Sequence, residues 1–471
     1  MSSTLPALRP SNIYVSSLLA GTKWATSSLT YSFPTSSAHY GVSYGSSEPS
    51  NAFGTFLSAQ QGAARTALKL YASVANLTFH EITETASQHA DIRFARSNSP
   101  WTAWAYYPND NDTGGDVWVN NTSRTYDAPR KGNYAYLTIA HEIGHALGLE
   151  HPHEGTAMPR NRDSMEYTIM SYRSHVGASM SSGYTNETWG YSQSLMMYDI
   201  AALQHLYGAN YGTNSGNTVY AWTPTGRAYV NGSAVSVAGD NRIFQTLWDG
   251  GGIDTYDFRQ YTTDLKINLN PGSWTLTSRS QLAKLDAGGK KLAAGNIANA
   301  FLYENDTRSL IEKALGGSGN DTITGNQGAN TLRGNAGNDR LVGRSGDDVL
   351  VGGSGNDTLY GDSGADRLYG GSGADIFRFR AVSDSLSSAR DTIKDFERGV
   401  DIIDLRSIDA NTNVAGNQAF TFIGRAAFKG AAGELRFSDG LLSADVNGDA
   451  IADMQVNVAR LTMLSKSDFY L

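Results

Sequence analysis

The sequence predicts two structural classes in succession, an α+β domain followed by an all-β domain. Up to about Tyr207, apolar residues recur either with helical spacing or with the two-residue period of strands. Near Gly212 the composition changes to Asn, Gly, Thr and Asp with short β-like runs, and a nine-residue motif repeats further on. These observations divide the 471 residues into a short N-terminal segment (1–20), an α+β domain (21–210) and an all-β domain (211–471).

The first domain carries the elements of a mixed fold. Helical spacing predicts helices at 60–74, 134–149 and 194–207. Short runs of β-branched and aromatic residues predict strands at 77–82, 90–95, 102–108 and 115–120. The N-terminal segment is interpreted either as a leader or as a short segment that packs around Ile13 to Leu19.

Composition excludes several classes of protein. The formal net charge of -8 lacks the basic footprint that a nucleic-acid partner requires. The absence of cysteine excludes disulfides, thiolate metal sites and a cysteine nucleophile. No apolar run approaches the roughly 18 residues of a membrane span, and the N-terminal residues do not resemble a cleavable signal peptide. Because disulfides are excluded, bound metal ions are the remaining candidate for cross-linking and stabilising the folded chain.

Seven copies of a nine-residue repeat run from Gly316 to Arg378. The first and fourth places are Gly, the sixth is Asp except at Asn330, and the eighth is always large and apolar. Glycine permits a tight turn, the apolar half forms a strand, and the carboxylates are hard ligands for calcium. A flexible linker would not keep this periodicity. The repeat therefore predicts a parallel β-roll with two copies per coil, largely unfolded without calcium.

The motif HEIGHALGLEH, which begins at His141, predicts a catalytic zinc site. His141 and His145 are four residues apart, so they share one face of a helix. Glu142 is offset around the helix and would stand beside a metal-bound water. His151 reaches the same metal only if the helix ends at Gly148. Three imidazoles leave one position open for water, which distinguishes a catalytic zinc from a structural one.

Two other functional classes are weaker interpretations. A calcium-dependent adhesin or scaffold would have no need for a complete set of zinc ligands and base. A lipase with the same repeats would need a nucleophilic serine in a G-x-S-x-G context, which the sequence lacks. Hydrolysis of peptide bonds is the chemistry that the motif favours.

Downstream, YTIMSYRS (167–174) is similar to the Met-turn of metzincins. Together with the zinc motif and the repeats, it makes nearly the whole chain resemble the serralysins, alkaline metalloproteases of Gram-negative bacteria. The resemblance implies a metzincin catalytic domain and a calcium-filled β-roll with flanking antiparallel strands. It also implies that Met170 forms an apolar floor beneath the histidines. Tyr172 would be a displaceable zinc ligand that later donates to the oxyanion, and Glu142 the general base.

The same resemblance implies further site residues. The upper edge strand would pair with an extended peptide substrate through Thr102, Ala103, Trp104, Ala105 and Tyr106. Calcium ligands in the repeats would be Gly317, Gly319, Asp321, Asn335, Gly337, Asp339, Gly346, Asp348, Gly353, Gly355, Asp357, Gly364, Asp366, Gly373 and Asp375. An earlier calcium site would use Asn214, Gly216, Thr218, Asp249, Gly251, Gly252, Asp254 and Glu312, while Asp391 and Asp401 would close the far end.

The expected cofactors are one catalytic Zn²⁺ and several structural Ca²⁺ ions. The C-terminal KSDFYL is similar to termini that a type I (ABC) secretion apparatus reads, so the protein is expected outside the cell, as a monomer that acts on protein and peptide substrates. A small periplasmic protein inhibitor is a further expected partner. Two departures stand out. His153 is unusual for the family, and Asp445, Asn447 and Asp449 form either a calcium loop or a solvated turn.

Overall fold

The computed structural model describes residues 2–41, 44–85, 87–181, 183–235 and 239–471. Its first half combines helices with a mixed sheet. The helices are α1 (Ile13–Ser16), α2 (Ser58–Val74), α3 (Tyr134–Ala146) and α4 (Met197–Tyr207). The strands are β1 (Thr4–Pro6), β2 (Thr22–Trp24), β3 (Ser28–Ser32), β4 (Gly54–Thr55), β5 (Thr78–Glu81), β6 (Ile92–Ser97), β7 (Ala103–Ala105) and β8 (Val117–Asn120).

The second half consists of strands, most of them short. Those before the repeats are β9 (Val219–Trp222), β10 (Ala228–Val230), β11 (Ser233–Val235), β12 (Gln245–Leu247), β13 (Thr255–Asp257), β14 (Lys266–Asn268), β15 (Trp274–Thr275), β16 (Ile297–Asn299) and β17 (Lys313–Leu315). Those in the repeats are β18 (Thr322–Thr324), β19 (Thr331–Ala336), β20 (Arg340–Ser345), β21 (Val349–Ser354), β22 (Thr358–Ser363), β23 (Arg367–Ser372) and β24 (Ile376–Arg378). The chain ends with β25 (Thr392–Ile393), β26 (Ile402–Asp404), β27 (Thr421–Phe422), β28 (Glu434–Ser438), β29 (Leu441–Asp445), β30 (Met454–Val458) and β31 (Phe469–Tyr470).

The sheet of the first half has the order β5-β3-β6-β8-β7, and β4 pairs with β6. Its strands run parallel except β4 and β7, which are antiparallel to their neighbours. Helix α2 buries Ala63, Ala67, Leu68, Tyr71 and Val74 along one stripe, as its 3.6-residue spacing predicts, and packs against α3. The site lies where α3 meets the edge strand β7.

Helix α3 is shorter than the predicted 134–149. It begins after Asn133, whose side chain accepts a hydrogen bond from Tyr136 N, and it ends at Ala146. The chain then turns back at Gly148, which has a φ of +97°. A Cβ atom there would lie 2.4 Å from Thr22 O, so both conformation and space require glycine.

The N-terminal segment packs against the loop that follows α3. Leu18 and Leu19 are fully buried. Ala20 N donates to Gly148 O at 2.9 Å, and Glu150 N donates to Leu18 O at 2.8 Å. These bonds favour the interpretation of residues 13–19 as a packing segment. Without this segment, the loop after α3 would lose its backbone hydrogen-bond partners and the apolar surface that Leu18 and Leu19 cover.

The repeats form two parallel sheets that face each other. Strands on one side pair with strands 18 residues away, as Leu332, Leu350 and Leu368 do, so each coil contains two copies of the repeat, as predicted. The eighth-place residues are at most 1% exposed and form a single thin core. Antiparallel strands β28, β29 and β30 flank the roll at its far end. The predicted combination of an α+β domain with an all-β roll is therefore confirmed.

Glycine serves two different purposes in the repeat. At the fourth place, Gly337 has a φ of +112°, and a Cβ there would lie 2.2 Å from the carbonyl oxygen of Gly319 in the previous coil. At the first place the requirement is space alone, since a Cβ on Gly334 would lie 2.0 Å from Asp339 Oδ2. The first-place glycines therefore make room for the carboxylates.

Among the described residues there are two large hydrophobic cores, besides a small cluster of Tyr40, Tyr44, Ala95 and Trp118. One surrounds α2, α3 and α4, and the other fills the roll. Phe244, Trp248, Leu285 and Ala298, which follow the first half in sequence, nevertheless belong to the first core. Within the described residues, no helix combines the length and apolarity needed to cross a membrane.

Candidate metal centre, cleft and carboxylate rows

The three predicted histidines converge on one point. His151 Nε2 lies 3.1 Å from His141 Nε2 and 3.0 Å from His145 Nε2. The Nδ1 atoms of His141 and His145 each lie 2.8 Å from a backbone carbonyl oxygen, those of Ile169 and Leu149 respectively. Since a carbonyl can only accept, each Nδ1 carries the proton and each Nε2 presents a lone pair.

The electrostatics of this cluster fit a metal ion. Burial lowers the pKa of His141 to about 4 and that of His145 to about 3, and burial with the neighbouring imidazoles lowers the pKa of His151 further. All three rings are therefore neutral at physiological pH. With His151 Nε2 only 3.1 and 3.0 Å from the other two Nε2 atoms, their lone pairs repel one another unless a cation lies among them. An all-imidazole donor set is typical of catalytic zinc.

Glu142 directly follows the first of these histidines and, with it, lines a cleft. Its side chain is buried, and Oε2 has no hydrogen-bond partner among the described residues. Burial raises its pKa to about 8. An unpartnered buried carboxylate beside an open cleft is costly for folding, so its presence indicates a chemical role.

The Met-turn is held beneath α3 by a buried aspartate. Asp199 accepts hydrogen bonds from Ile169 N and Met196 N, both at 2.8 Å. Met170 is fully buried, and a Cβ on Gly144 of α3 would lie 2.7 Å from its sulfur. The thioether therefore packs directly under the helix that carries two of the histidines.

The Tyr172 ring covers the histidines from the cleft side. Its centroid lies 4.4 Å from that of His151 and 5.8 Å from that of His141, where the two rings are stacked. The side chain is 38% exposed, so the hydroxyl has access to solvent and to a bound substrate.

A cleft of about 490 Å³ adjoins Glu142 and Tyr172. Sequence reasoning missed most of its wall, which consists of Tyr134, Leu137, Thr138, Met180, Gly183, Tyr184 and Tyr191. Part of this wall was accessible to prediction, since Tyr134, Leu137, Thr138 and His141 share a helical face. The rest comes from loops that only the tertiary fold brings together. Such a wall of aromatic and apolar side chains suits a bulky apolar group.

Strand β7 is an edge strand, because it pairs with β8 on one side and with no strand on the other among the described residues. It is shorter than the predicted 102–108. Of the five residues predicted to bind substrate, Thr102 and Ala103 line the cleft. Trp104 Nε1 and Tyr106 OH instead donate to Glu48 Oε1, at 3.1 and 2.5 Å, while Ala105 continues the edge. Sequence reasoning did not identify Glu48, which is fully buried.

His153 and Glu154 lie beside the third histidine. The His153 ring stacks on that of His151 with centroids 5.3 Å apart, and its Nδ1 is buried without a partner among the described residues. Glu154 Oε1 lies 3.1 Å from His151 Nδ1. Both residues thus contact the outer side of the metal centre.

The sixth-place carboxylates form two rows along the roll, one at each turn. In one row, Asp357 Oδ1 accepts from Asp339 N at 2.7 Å and Asp375 Oδ1 accepts from Asp357 N at 2.8 Å. In the other, Asp348, Asp366 and Asp391 are linked in the same way. Within the part of the chain that the structure describes, the second oxygen of each of these six residues is buried without a hydrogen-bond partner. Burial raises their pKa values, to about 8 for Asp348 and about 9 for Asp391.

Rows of unpartnered carboxylate oxygens fit calcium, which takes six to eight oxygen ligands. Asp321 and Asp401, at the ends of one row, differ from these six residues in their hydrogen bonds. Asp321 accepts from Leu265 N and Gly317 N, and Asp401 accepts from Asp375 N and Glu397 N, so both oxygens of each are engaged. Of the remaining predicted ligands in the repeats, Asn335 and Gly353 lie in β19 and β21, and the others lie between the strands.

The predicted earlier calcium group is also brought together. Thr218 N donates to Asp254 Oδ1 at 2.7 Å, and Asp254 N donates to Glu312 Oε2 at 2.7 Å. Gly251 N donates to Asp249 Oδ1, and Asp254 Oδ2 has no partner among the described residues. Thr218 Oγ1 donates to the carbonyl oxygens of Asn214 and Gly216, and Gly252 lies against Gly216.

The loop at Asp445 is different, because its polar groups satisfy one another. Asp445 accepts from Gly448 N at 2.7 Å and from Ala450 N at 2.9 Å. Asp449 Oδ1 accepts from Ile451 N. These bonds are those of a self-capped turn.

Comparison with known proteins places the chain in a family. A model described as peptidase M10 serralysin C terminal matches residues 209–471, and one described as matrixin matches residues 23–168. Metalloprotease AprA of Pseudomonas entomophila is 36% identical over 454 residues, covering 92% of this chain and 83% of that protein. Serralysin A of Dickeya chrysanthemi is 40% identical over 375 residues, covering 77% and 69% respectively. With this agreement across both halves, the chain belongs to the serralysin family and is a metalloendopeptidase of the metzincin type.

Proposed function

We propose that this chain is a secreted zinc endopeptidase that hydrolyses internal bonds of extracellular proteins, with His141, His145 and His151 as the zinc ligands. The observation that carries the proposal is the convergence of three Nε2 atoms next to the unpartnered carboxylate of Glu142. When bound, zinc would polarise the scissile carbonyl and acidify a water molecule. The chain's own residues supply the proton transfers and the orientation.

Glu142 acts as the general base. It takes a proton from the attacking water and then passes it to the leaving amine. Burial raises the pKa of its carboxyl group, which favours taking up the proton of the water, while a bound zinc ion would favour the ionised form that attacks that proton.

Tyr172 stabilises the oxyanion. Its ring position over His151 and His141 places the side chain at the mouth of the centre, and its phenol stays protonated because burial raises its pKa well above the usual range. A protonated phenol can donate a hydrogen bond to the charge that develops on the carbonyl oxygen. In the absence of substrate, the same residue is our candidate for a fourth zinc ligand.

The substrate binds as an extended strand. The free edge of β7 offers backbone groups of Ala103 and Ala105 for pairing, and Thr102 connects this edge to the cleft. The aromatic wall of Tyr134, Tyr184 and Tyr191 would receive a side chain next to the scissile bond.

The roll is proposed to bind several calcium ions at the predicted ligands, with the unpartnered aspartate oxygens as the main support. We further propose that the chain divides near residues 20 and 210, that it acts as a monomer, and that a type I apparatus exports it. Low intracellular calcium would keep the roll unfolded for export. A small periplasmic protein inhibitor is a further proposed partner, and the resemblance to the family is its only support.

The decisive variant is Glu142→Gln. Casein hydrolysis should fall by about 10²–10⁴-fold, while zinc content measured by elemental analysis stays that of the wild type. Glu150→Gln makes the same chemical change nearby, at a carboxylate paired with Arg9 rather than facing the cleft, and should retain activity. A zinc-replete Glu142→Gln enzyme with wild-type turnover would refute the assignment of the base.

A metal-exchange experiment tests the cofactor separately. At constant millimolar calcium, a zinc-selective chelator should abolish casein cleavage, and added zinc should restore it. Activity that survives complete zinc removal would exclude the proposed centre.

A further inference from the structure

Three arginines converge on the outer face of the roll sheet that contains β20, β22 and β24. Arg340 and Arg344 belong to β20, and Arg380 follows β24. They line a shallow depression together with Thr324, Val342, Ser345 and Asp362. We call Arg340, Arg344 and Arg380 the arginine patch.

Positive charge in the patch exceeds the negative charge available to it. Arg380 forms an ion pair with Asp362. Among the described residues, the guanidinium groups of Arg340 and Arg344 have no carboxylate within 4.0 Å, and Arg340 instead lies over the Tyr360 ring at 3.9 Å. Such unpaired guanidinium groups are available to an external anion, although the chain as a whole has a net charge of -8.

Arg344 occupies a strained backbone position. It stands at the second place of its repeat with a φ of +84°, a left-handed conformation that the roll also imposes on Asn335, Gly353 and Gly371. Glycine and asparagine adopt this conformation readily, whereas a long side chain pays a steric cost. Glycine would avoid this steric cost, although Asp362 at the same place in the next coil also has a positive φ of +64°. The arginine side chain is thus a feature that the backbone of the roll does not require.

The geometry suits a linear anionic polymer. Arg344 lies in register with Asp362 on the next strand, and Arg380 follows Asp362 by 18 residues, one coil further on. Neighbouring strands are about 4.8 Å apart, so the backbone of Arg344 is one strand spacing from Asp362, which binds the Arg380 guanidinium. The planar guanidinium fork pairs with sulfate and carboxylate groups through two hydrogen bonds.

The surrounding groups favour a sugar over a lipid. Thr324 and Ser345 offer hydroxyl groups, and Asp362 can accept from sugar hydroxyls. The one large apolar residue in the lining, Val342, is only 8% exposed, so nothing in the patch is positioned to enter a bilayer.

We propose that the arginine patch is a binding site for an anionic polysaccharide, with sulfated glycans as the matching chemistry. The site would hold the enzyme at glycan-rich surfaces where its protein substrates lie. This biological role rests on the proposed extracellular function, whereas the binding itself does not.

Heparin is the probe, with the full-length protein at saturating calcium. The double variant R340Q/R344Q should weaken heparin binding by about tenfold. The matched control is R333Q/R367Q, which removes the same charge from exposed arginines on the opposite sheet and should leave the affinity within about twofold. If both double variants lost heparin affinity equally, the effect would come from the net charge of the protein rather than from the patch, and the proposal would be overturned.

R344G separates binding from structural damage. It relieves the left-handed arginine, so its melting temperature should equal or exceed that of the wild type while heparin affinity falls. A lower melting temperature together with unchanged heparin affinity would overturn the assignment. Tighter, patch-dependent binding to phosphatidylglycerol vesicles than to heparin would also overturn it, in favour of a membrane.

Casein hydrolysis by the same samples distinguishes the two proposals. R340Q/R344Q should cleave soluble casein at the wild-type rate, since the patch is remote in sequence and fold from the cleft. Heparin binding by the inactive Glu142→Gln protein should likewise be normal. Failure of one proposal therefore leaves the other measurable.

Discussion

At the scale of single residues, Asp199 connects helix α4 to the metal centre. Its carboxylate is fully buried and accepts from Thr168 Oγ1 at 2.5 Å and from Ile169 N at 2.8 Å. The carbonyl of the same Ile169 accepts from His141 Nδ1. The orientation of one proposed zinc ligand therefore depends on a carboxylate that does not touch the metal site.

Asp199→Asn should lower zinc affinity by about tenfold or more, because the amide can no longer accept from all three donors. Competition with a chromogenic zinc chelator measures this directly. Asp91→Asn is a suitable control, since Asp91 is also buried and accepts from Thr30 N and Oγ1, away from the histidines. Equal zinc affinities in the two variants would mean that Asp199 stabilises the fold only.

Tyr172→Phe should reduce kcat on a peptide substrate by about 10²-fold with little change in KM, because the lost hydrogen bond forms with the charge of the transition state. Tyr191→Phe, in the same cleft, should leave kcat close to that of the wild type. A kcat unaffected by Tyr172→Phe would remove the oxyanion role.

Residue-scale prediction succeeded where chemistry is local in sequence. The spacing of His141, His145 and His151 specifies a common point once the chain turns back at Gly148, and the structure brings the three rings together there. Asp199 could not be identified in this way. It is 29 residues from Met170, and nothing in its sequence neighbourhood marks it as a partner of the turn.

At the scale of elements, the edge strand depends on one buried carboxylate. Glu48 Oε1 accepts from both Trp104 and Tyr106, which flank Ala105, and Glu48 Oε2 accepts from Ser46 N at 2.7 Å. The side chains of Trp104 and Tyr106 are thereby held by one buried carboxylate, so the free backbone edge between them keeps its position.

Glu48→Gln should loosen this edge and raise KM for extended peptides by about threefold to tenfold, with a smaller effect on kcat. Steady-state kinetics on a peptide series of increasing length would show the largest loss for the longest peptides. Glu81→Gln provides the control, because Glu81 ends β5 at the other edge of the sheet and pairs with Arg65. A length-independent loss would contradict the role of β7 in binding.

Elements were predicted best where periodicity is strict. The nine-residue repeat predicted an 18-residue coil and an inward position for residues such as Leu350, and both are observed. Strand β7 was predicted too long, because the apolar run 102–108 does not reveal that Tyr106 leaves the ladder to reach Glu48. Tertiary partners of this kind override local pattern.

At the scale of the whole molecule, the second half contributes residues to the core of the first. Phe244, Trp248, Leu285 and Ala298 pack with the helices of the catalytic half although they follow it in sequence. We therefore expect calcium removal, with zinc retained, to reduce the β-sheet signal in circular dichroism and also to lower the melting temperature of the catalytic half. An unchanged spectrum after exhaustive chelation would contradict a calcium-dependent roll.

A substitution in the row that contains Asp348 should weaken, rather than abolish, the calcium dependence of folding. The second repeat already has Asn330 in place of aspartate, and its side-chain amide bonds to Asn326, so the roll accommodates asparagine at this place without an unpartnered oxygen. Asp348→Asn should thus fold at saturating calcium but need about tenfold more calcium at its midpoint, because one charged ligand is lost. Asp347→Asn, at an exposed neighbour that accepts from Ala365 N, should shift the midpoint much less. Equal midpoints in all three proteins would mean that the buried oxygens are held by packing alone, and the pKa of about 8 at Asp348 would then reflect a carboxyl group that stays protonated in the folded roll.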